Sequence, residues 1–425
     1  MTPAIVAFIV LLLIGAPVAV VMALSGLAGG FAIGGERMLG IIADRMFAGV
    51  SGFLLIAVPY FIFTAELMNQ GGLTQKLIAF NNAVFGRMRG ALSHVNISVS
   101  VFFAGLTGAA ITDTVAIGKI MIPEMKRQGY DAEYAAAITA CSSIIGPIIP
   151  PSVVMVVYAT LLRDISVIDL FAGGIIPGLL MALALLGVSF FLAIKRGYPK
   201  QPPTPFKVAV LSFLMALPAM IVPLIILGGI LSGLTTITEA SGFAAIYTIF
   251  ISVVFYRNLT WRKVWNALVI TVRFSGVVFF LLATSAVLGW FVTRSGIARD
   301  AAGLITTFSD STFLQLLLVC LLLILIGTIM DVLPALVVVA PVLVPAMIQL
   351  GVDPLHFAIL MIVVLNISNV TPPVGMTLMT AARIANVPFE RAIIASLPFY
   401  VAFIIVILLL VIFPSLSTWI PSLLR

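Results

Sequence analysis

The sequence predicts an all-α polytopic membrane protein built from two inverted repeats, each with a re-entrant helical hairpin and a broken helix. Three observations support this fold class. Of the 425 residues, 62% are hydrophobic and only 9% are charged, whereas about 25% of the residues of a soluble domain are charged. Apolar stretches of roughly 20 residues or more, long enough to cross a bilayer as helices, recur along the whole chain. Glycine, proline and aspartate positions of the first half also recur in the second half.

Composition and motif content argue against several other classes of protein. The formal net charge is +7, but the basic residues lie in loops between apolar segments, which indicates membrane topology and not nucleic-acid binding. Cys141 and Cys320 lie within apolar stretches and have neither a disulfide framework nor a metal-ligand spacing. The chain has no phosphate-binding loop and no soluble domain large enough to hydrolyse a nucleotide. An ATP-driven pump contained in this one chain is therefore not expected, and no nucleic-acid partner is expected either.

The first repeat covers residues 1–205. Thr2 to Gly34 is too long for a signal peptide and lacks a basic start and a cleavage site, so it is interpreted as the first span. A hairpin is predicted at about 91–128, where polar residues interrupt an apolar segment; such irregular backbone is tolerated only where protein or a water-filled cavity satisfies it. The other predicted elements are a span Ser51–Asn69, an amphipathic interfacial piece Leu73–Arg89, a span Ala132–Leu162 broken at Gly146–Pro147 and Pro150–Pro151, and a span Ile168–Ile194.

Residues 206–425 are predicted to form a linking helix and the second repeat. The longest polar linker, 195–207, divides the two halves. A second hairpin is predicted at about 301–350, where Gly327-Thr-Ile-Met-Asp331 interrupts an apolar segment. The other predicted spans are Val208–Leu231, Thr235–Tyr256, Val264–Thr293, Pro354–Arg383, which is broken at 371–373, and Phe389–Trp419.

The two halves repeat at two neighbouring offsets. Ser51–Gly52 coincides with Ser275–Gly276, and Gly72 with Gly296, at an offset of 224 residues, whereas the other matches share the offset of 222 residues between Gly105 and Gly327. At this offset, residues of the same type coincide at many Gly, Pro and Asp positions: Gly105 with Gly327, Pro123 with Pro345, Gly129 with Gly351, Asp131 with Asp353, and Pro150–Pro151 with Pro372–Pro373. Five predicted crossings separate equivalent points, and because five is odd the repeats have opposite orientations. Inverted repeats with interrupted helices are typical of secondary transporters, whose binding site lies near the bilayer midplane.

The distribution of basic residues predicts the orientation. Most loop Lys and Arg residues, including Lys126–Arg127 and 257–263, fall on one predicted side of the membrane. That side is expected to be cytoplasmic. The N-terminus is then cytoplasmic, the C-terminus is periplasmic, the first hairpin opens from the cytoplasm and the second opens from outside.

Oxygen-rich residues cluster around both interruptions, and each cluster includes an aspartate. An ionised carboxylate in hydrocarbon is costly and is expected to face a partner, a cavity or an ion. Sodium prefers oxygen ligands, and a broken helix exposes carbonyl groups, so we predict ion binding at both clusters. The first cluster consists of Thr107, Gly108, Thr112, Asp113, Ser142, Ser143 and Gly146; the second consists of Thr328, Asp331, Asn366, Ser368, Asn369 and Thr371. Two alternatives stay open: the hydroxyl groups only bond to their own helices, and Lys119 neutralises Asp113.

These residues resemble a known family over essentially the whole chain. Three motifs look like the first half of the large membrane subunit of tripartite ATP-independent periplasmic (TRAP) transporters: the segment from Gly105 to Gly118, Met121-Ile-Pro-Glu-Met, and Ile144-Ile-Gly-Pro-Ile-Ile-Pro-Pro-Ser152. Gly327-Thr-Ile-Met-Asp331, Gly351-Val-Asp-Pro-Leu-His-Phe357 and Thr371-Pro-Pro-Val-Gly375 look like its second half. The chain departs from commoner versions at the first hairpin tip, where Thr107 and Ala109–Ala110 replace serines, so only backbone ligands are possible at 109 and 110.

The resemblance implies a sodium-coupled importer of organic anions in the bacterial inner membrane. In this family the large subunit pairs with a small four-helix membrane subunit, and a periplasmic solute-binding protein delivers a carboxylate such as a C4-dicarboxylate or a sialic acid. The implied fold is that of an elevator-type transporter, with no cofactor other than sodium as the coupling ion. The substrate-binding positions that the resemblance implies are Gly105, Thr107, Pro150, Pro151, Gly327, Pro372 and Pro373.

Two other functions stand as alternatives to this one. A stand-alone sodium/anion symporter of the same architecture would need no partner subunits. An intramembrane enzyme would use Asp113 and Asp331 as an acidic pair, but the two lie in repeats of opposite orientation and no accompanying motif is present. We therefore expect a transporter and not an enzyme.

Overall fold

The computed structural model describes residues 2–35, 38–107, 110–162, 165–201 and 204–424, and within these ranges the regular structure is entirely helical. The helices of the first half are α1 (Thr2–Leu13), α2 (Val18–Gly34), α3 (Met38–Val50), α4 (Ala57–Gly71), α5 (Leu73–Phe85), α6 (Ala91–Thr107), α7 (Ala110–Arg127), α8 (Ala132–Ser143), α9 (Val153–Leu162) and α10 (Val167–Lys195). Those of the second half are α11 (Phe206–Leu231), α12 (Ile237–Phe250), α13 (Trp261–Ser295), α14 (Ile297–Phe308), α15 (Thr312–Gly327), α16 (Val332–Gln349), α17 (Pro354–Ser368), α18 (Met376–Ala385), α19 (Phe389–Ile412) and α20 (Ser415–Leu423).

Seven helical segments of the described chain are long and apolar enough to cross a membrane, and the bent pair α14–α15 would be an eighth. The prediction of an all-α membrane protein is therefore confirmed. Many large apolar side chains stay exposed on these helices, for example Leu183 and Phe191 on α10 and Leu224 on α11. Such a surface is expected where lipid and not water surrounds the helices.

Helix bounds recur at the offset read from the sequence. At this offset, α7 coincides with α16 at both ends, and the first residues of α8 and α10 fall on the first residues of α17 and α19. The peptide bonds Pro150–Pro151 and Pro372–Pro373, which correspond at the same offset, are both cis. The two halves therefore share the order hairpin, broken helix, span.

The first apolar segment is not one span, as predicted, but the two helices α1 and α2. The chain turns at Gly15, whose φ of 77° lies in the left-handed region that favours glycine. Pro17, which lacks a backbone N–H, immediately precedes α2. The two helices pack against each other, so the prediction of a single first span is wrong.

The first hairpin, α6 and α7, has the predicted bounds, but the second hairpin begins later than predicted. Residues 301–308 belong to α14, which is bent by 117° relative to α15. The hairpin proper therefore begins at Thr312 and consists of α15 and α16. Helix α14 precedes the second hairpin as α5 precedes the first, so these two helices are counterparts.

Each broken helix packs against the hairpin of the other half. Helix α9, which follows the first break, contacts α16 of the second hairpin. Helix α18, which follows the second break, contacts α7 of the first hairpin, as well as α8. This exchange of contacts brings the two interrupted regions into one core.

The polar linker between the halves is fastened to the start of α8. Arg196 forms an ion pair with Asp131 at 2.9 Å, and the Tyr198 hydroxyl donates to the same carboxylate at 2.8 Å. Burial, together with the nearby carboxylate, raises the pKa of the Tyr198 hydroxyl, which therefore stays protonated and able to donate. The Arg196 guanidinium also lies 5.2 Å from the centre of the Tyr134 ring.

Candidate ion and substrate site

The first candidate cluster is built around Asp113, which lies in the first turn of α7 and is fully buried. Its carboxylate reaches the break between α8 and α9. A Cβ atom placed on Gly146 would come within 2.2 Å of Asp113 Oδ2. Only glycine leaves room for the carboxylate there, so the sequence pair Asp113 and Gly146 forms one packed unit. Lys119, in contrast, is exposed.

Ser142 and Ser143, at the end of α8, already have hydrogen-bond partners. The Ser143 hydroxyl donates to the Thr139 carbonyl oxygen at 2.7 Å. The Ser142 hydroxyl accepts from Ser100 at 3.0 Å and lies 3.1 Å from the Asn96 side-chain oxygen. This buried network joins α6 to α8.

Sequence reasoning missed the α6 side of that network. Asn96 Nδ2 donates to the Thr139 hydroxyl at 2.7 Å, and both residues are fully buried. A signal was available, because Asn96 and Ser100 are four residues apart and therefore share one face of an otherwise apolar helix. Buried polar side chains on one face indicate a polar partner on the neighbouring helix.

The second candidate cluster is built around Asp331, the N-cap residue of α16. Its carboxylate accepts from the Val332 backbone N–H at 2.8 Å and from Asn369 Nδ2 at 2.9 Å. Asn369 immediately follows the last residue of α17, so this contact ties the tip of the second hairpin to the second break. The structure thus brings Asp331 into contact with Asn369, which the sequence placed in the same candidate cluster.

Two amide oxygens at the C-terminal end of α17 are buried and have no hydrogen-bond partner among the described residues. They are Oδ1 of Asn366 and Oδ1 of Asn369. The amide nitrogens of both side chains are already used, since Asn366 Nδ2 donates to the Ile362 carbonyl at 2.7 Å and Asn369 Nδ2 donates to Asp331. A buried acceptor without a donor costs about 1–3 kcal/mol, and a cation would offset that cost. This set of neutral and anionic oxygen ligands suits sodium.

The hydroxyl groups of the second cluster donate within their own helices. The acceptors are the Leu325 carbonyl for Thr328, the Leu365 carbonyl for Ser368 and the Ile367 carbonyl for Thr371, at distances of 2.8, 2.6 and 3.0 Å respectively. These bonds use the hydroxyl protons and leave oxygen lone pairs for an ion. Thr377, which the sequence did not single out, has a buried hydroxyl without a partner in the described chain, and its backbone N–H donates to the Asn369 carbonyl.

The predicted substrate-binding positions fall into three groups. Gly327 packs so tightly on Ser368 that a Cβ atom there would lie 1.8 Å from the serine hydroxyl oxygen. Pro150 and Pro151 are buried, whereas Pro372 is half-buried and Pro373 is exposed. Gly105 and Thr107 are described only as backbone at the end of α6, and Gly108 lies outside the described residues. Thr112, which the sequence predicted as an ion ligand and not as a substrate contact, is half-buried in the first turn of α7.

The arrangement presents oxygen atoms of the kind that suit a hard cation. Within the described ranges, no group of three or more His, Cys, Asp and Glu residues could hold a metal ion. The candidate ligands are carboxylate, amide and hydroxyl oxygens at the ends of interrupted helices. Such oxygens coordinate sodium in membrane transporters, where the coupling ion is bound between unwound segments.

Comparison with known proteins identifies relatives along nearly the whole chain. Residues 5–416 match the family model described as "Tripartite ATP-independent periplasmic transporter, DctM component". The sialic acid TRAP transporter large permease protein SiaM of Vibrio cholerae is 37% identical over 90% of this chain and 89% of its own length. The C4-dicarboxylate TRAP transporter large permease protein DctM of Pseudomonas aeruginosa is 31% identical over 90% of this chain and 89% of its own. The crystal structure of the Alcanivorax borkumensis YdaH transporter shares the fold, with a TM-score of 0.65, 16% identity and coverage of 89% and 88% of the two chains.

Proposed function

The chain belongs to the DctM family, the large permease components of tripartite ATP-independent periplasmic (TRAP) transporters, and from this premise we propose that it imports an organic anion by sodium symport. As a multi-span permease of this family it resides in the bacterial inner membrane. The family implies a small membrane subunit and a periplasmic solute-binding protein as partners. A permease of this kind moves its substrate and does not transform it.

The proposal of sodium coupling is supported by the side-chain oxygens at the second helix break. Asp331 supplies a negative charge, and the Asn366 and Asn369 side chains supply two buried oxygens that lack donors among the described residues. A sodium ion bound there would satisfy these oxygens and neutralise the carboxylate at once. Thr328, Thr371 and Thr377 lie in the adjoining turns and would supply the remaining oxygens.

We propose that the first cluster has a supporting role in the same cycle. Asp113 is fully buried against Gly146, and Ser142 and Ser143 are engaged in hydrogen bonds. The division into repeats at 1–205 and 206–425, the cytoplasmic N-terminus, the periplasmic C-terminus and an elevator movement of the hairpins are parts of this proposal. The exchange of contacts α9–α16 and α18–α7 supports it, because the two breaks would then move as one body.

Uptake into proteoliposomes tests the proposal. The vesicles would contain this subunit with or without its small partner, with the binding protein outside, and labelled N-acetylneuraminate or succinate as substrate. We expect uptake only when all parts and an inward sodium gradient are present. Uptake that proceeds unchanged without sodium would overturn the coupling. Uptake by this chain alone would instead identify a stand-alone symporter.

A further inference from the structure

Two adjoining cavities lie between α3 and α13, and their lining includes no residue of the clusters described above. The inner cavity, of about 500 Å³, is defined as the one that α9 and α16 also line, and the outer cavity, of about 420 Å³, as the one that only α3 and α13 line; Arg45, Ala48 and Trp290 line both. Pro341 and Pro345 of α16 form the opposite wall of the inner cavity. We call this space the α3–α13 cleft. Pockets for small molecules typically have volumes of about 300–1,000 Å³, so the cleft has the right size for one.

Glycine at position 49 allows α3 and α13 to approach closely beside the cleft. A Cβ atom on Gly49 would lie 2.8 Å from the Ala286 Cβ and 2.9 Å from the Leu282 carbonyl oxygen, so α3 and α13 touch at this point. Away from that contact the two helices leave space between them. Arg45 lies one turn before Gly49 and Trp290 one turn after Ala286, and both side chains therefore border the same cavities.

The rim of the cleft carries an excess of positive charge. Arg45 and Arg294 both line the outer cavity, and Asp44 is the acidic residue among its lining. The ion pairs found in the described chain include neither arginine. The Arg294 guanidinium lies 5.9 Å from the centre of the Trp290 ring, a position that orders the guanidinium at the edge of the cleft. Guanidinium groups bind carboxylates in a bidentate manner.

The inner part of the cleft presents hydroxyl oxygens. Thr160, Ser285 and Thr293 line it, and each hydroxyl donates to a carbonyl of its own helix, at 2.8, 2.8 and 2.9 Å respectively. The oxygens that remain accept hydrogen bonds. Such acceptors suit a ligand that carries hydroxyl donors, whereas a second carboxylate offers only acceptors.

We propose that the α3–α13 cleft is the site where the permease first binds its substrate, and that this substrate is a polyhydroxylated carboxylate. Arg45 and Arg294 hold the carboxylate, and the hydroxyl oxygens of the inner part receive the ligand's hydroxyl groups. The inference rests on the proposed transport function and deepens it. Because α16 is both a wall of the cleft and the helix capped by Asp331, a bound substrate touches the helix that carries the proposed sodium ligand.

Charge-neutralising variants test the carboxylate site. In the proteoliposome assay, the variants Arg45→Gln and Arg294→Gln are each expected to raise the KM for N-acetylneuraminate about tenfold or more, since each removes charge-assisted hydrogen bonds. Arg299→Gln is the matched control, because Arg299 is exposed and lies just beyond α13 without lining either cavity. An unchanged KM in both cleft variants, with wild-type transport intact, overturns the inference.

Protection of an introduced cysteine from chemical labelling tests which ligand binds in the cleft, without relying on transport. Both native cysteines are buried, so a water-soluble thiol reagent should react mainly with an introduced cysteine. Thr293→Cys places a thiol in the cleft, and Ser232→Cys is a control on an exposed loop. We expect N-acetylneuraminate to slow labelling at position 293 but not at position 232, and succinate to protect much less. Equal protection by succinate overturns the assignment to polyhydroxylated substrates.

The two experiments separate failure of the inference from failure of the proposed function. If the wild-type assembly transports no organic anion but N-acetylneuraminate still protects Thr293→Cys, the cleft binds its ligand and the transport proposal fails. If transport is sodium-driven but neither the arginine variants nor protection respond, the cleft is not the binding site. Loss of protection in the Arg45→Gln, Arg294→Gln double variant would confirm that the arginines hold the ligand.

Discussion

The break between α8 and α9 and the break between α17 and α18 have similar backbone structures, but different polar side chains surround them. At the offset that relates the two halves, the pair Gly327 and Ser368 corresponds to Gly105 and Gly146. In the second half the Ser368 side chain packs on Gly327, whereas in the first half the space beside Gly146 is taken by the carboxylate of Asp113. The carboxylates themselves are not equivalent, since Asp113 corresponds to Ala335, one turn beyond Asp331.

This difference indicates a division of labour between the halves. In the first half, the serines at the end of α8 have partners and the aspartate is packed against the backbone. In the second half, two buried amide oxygens lack donors among the described residues. This contrast agrees with the proposal that the second half holds the ion, because an ion site needs oxygens that no protein donor occupies, whereas the first half can be packed for stability. Exchanging residues between equivalent positions tests this division directly.

The largest effect is expected for Gly146→Ser, which places the second half's residue in the first. The new Cβ atom would overlap the Asp113 carboxylate, and overpacking of this kind costs about 1–3 kcal/mol or more. We expect a lower melting temperature in detergent and loss of uptake. The reverse exchange, Ser368→Gly, removes a side chain from a tight contact and should melt near the wild-type temperature. Equal melting temperatures for Gly146→Ser and the wild type would show that the break relaxes freely.

The next effect concerns the charge at the second hairpin tip. Asp331→Asn removes the carboxylate but keeps a good N-cap for α16, because asparagine caps helices about as well as aspartate. We expect near-wild-type expression and melting but at least about a tenfold loss of sodium-stimulated uptake. The measurement is initial uptake over a series of sodium concentrations. A wild-type sodium response would remove Asp331 from the ion site.

A smaller and more selective effect is expected for Asn366→Leu. Its first-half equivalent, Ile144, is apolar, so the variant makes the second half resemble the first. Removing a buried oxygen that lacks a donor should leave the melting temperature unchanged or raise it. The sodium concentration for half-maximal uptake should rise about tenfold. Ile144→Leu serves as the control, and a fall in stability without a change in sodium response would mean that Asn366 is structural.

The smallest effects are expected at the equivalent aspartates Asp131 and Asp353. Asp353 caps α17 by accepting from the His356 backbone N–H at 2.8 Å, and Asp353→Ala should cost about 1 kcal/mol. Asp131 makes no such cap and instead pairs with Arg196 at a partly exposed site. Asp131→Ala should therefore cost about 0.2–1 kcal/mol, and the cost should shrink in high salt. Melting at low and high salt distinguishes the two, and an unscreened loss at Asp131 would contradict this assignment.

The local sequence was sufficient to predict the ends of helices where charged residues directly flank an apolar segment. The first hairpin was predicted to within a residue because Arg87 and Arg89 precede it and Lys126–Arg127 close it. The second was predicted to begin too early because only the short polar stretch 309–311 separates α14 from α15. Gly15 and Pro17 indicate the break between α1 and α2, but the segment was interpreted as one span because it is hydrophobic throughout.

Tertiary contacts were beyond the reach of the sequence. The approach of Asp113 to Gly146 joins residues from two separate parts of the chain, and no periodicity reports it. The dipeptide Ser51–Gly52 shows the same limit, because it directly follows the end of α3, whereas its counterpart Ser275–Gly276 lies within the continuous helix α13. Packing partners, and not the local sequence, decide whether the helix continues there. The candidate ligands were therefore predictable as a set, but their individual contacts were not.

The length of α13 has a further consequence, which concerns the lipid. Its 35 residues extend over about 52 Å, whereas the hydrocarbon core of a bilayer is about 30 Å thick. Exposed Trp261 and Trp265 near its start suit the headgroup region on one side. A helix of this length adapts to a thinner bilayer by tilting, and α13 would carry α2, α3 and α4 with it because they pack on its sides. We therefore expect membrane thickness to influence the tilt of these four helices, and the uptake rate in reconstituted vesicles to change with the acyl-chain length of the lipid.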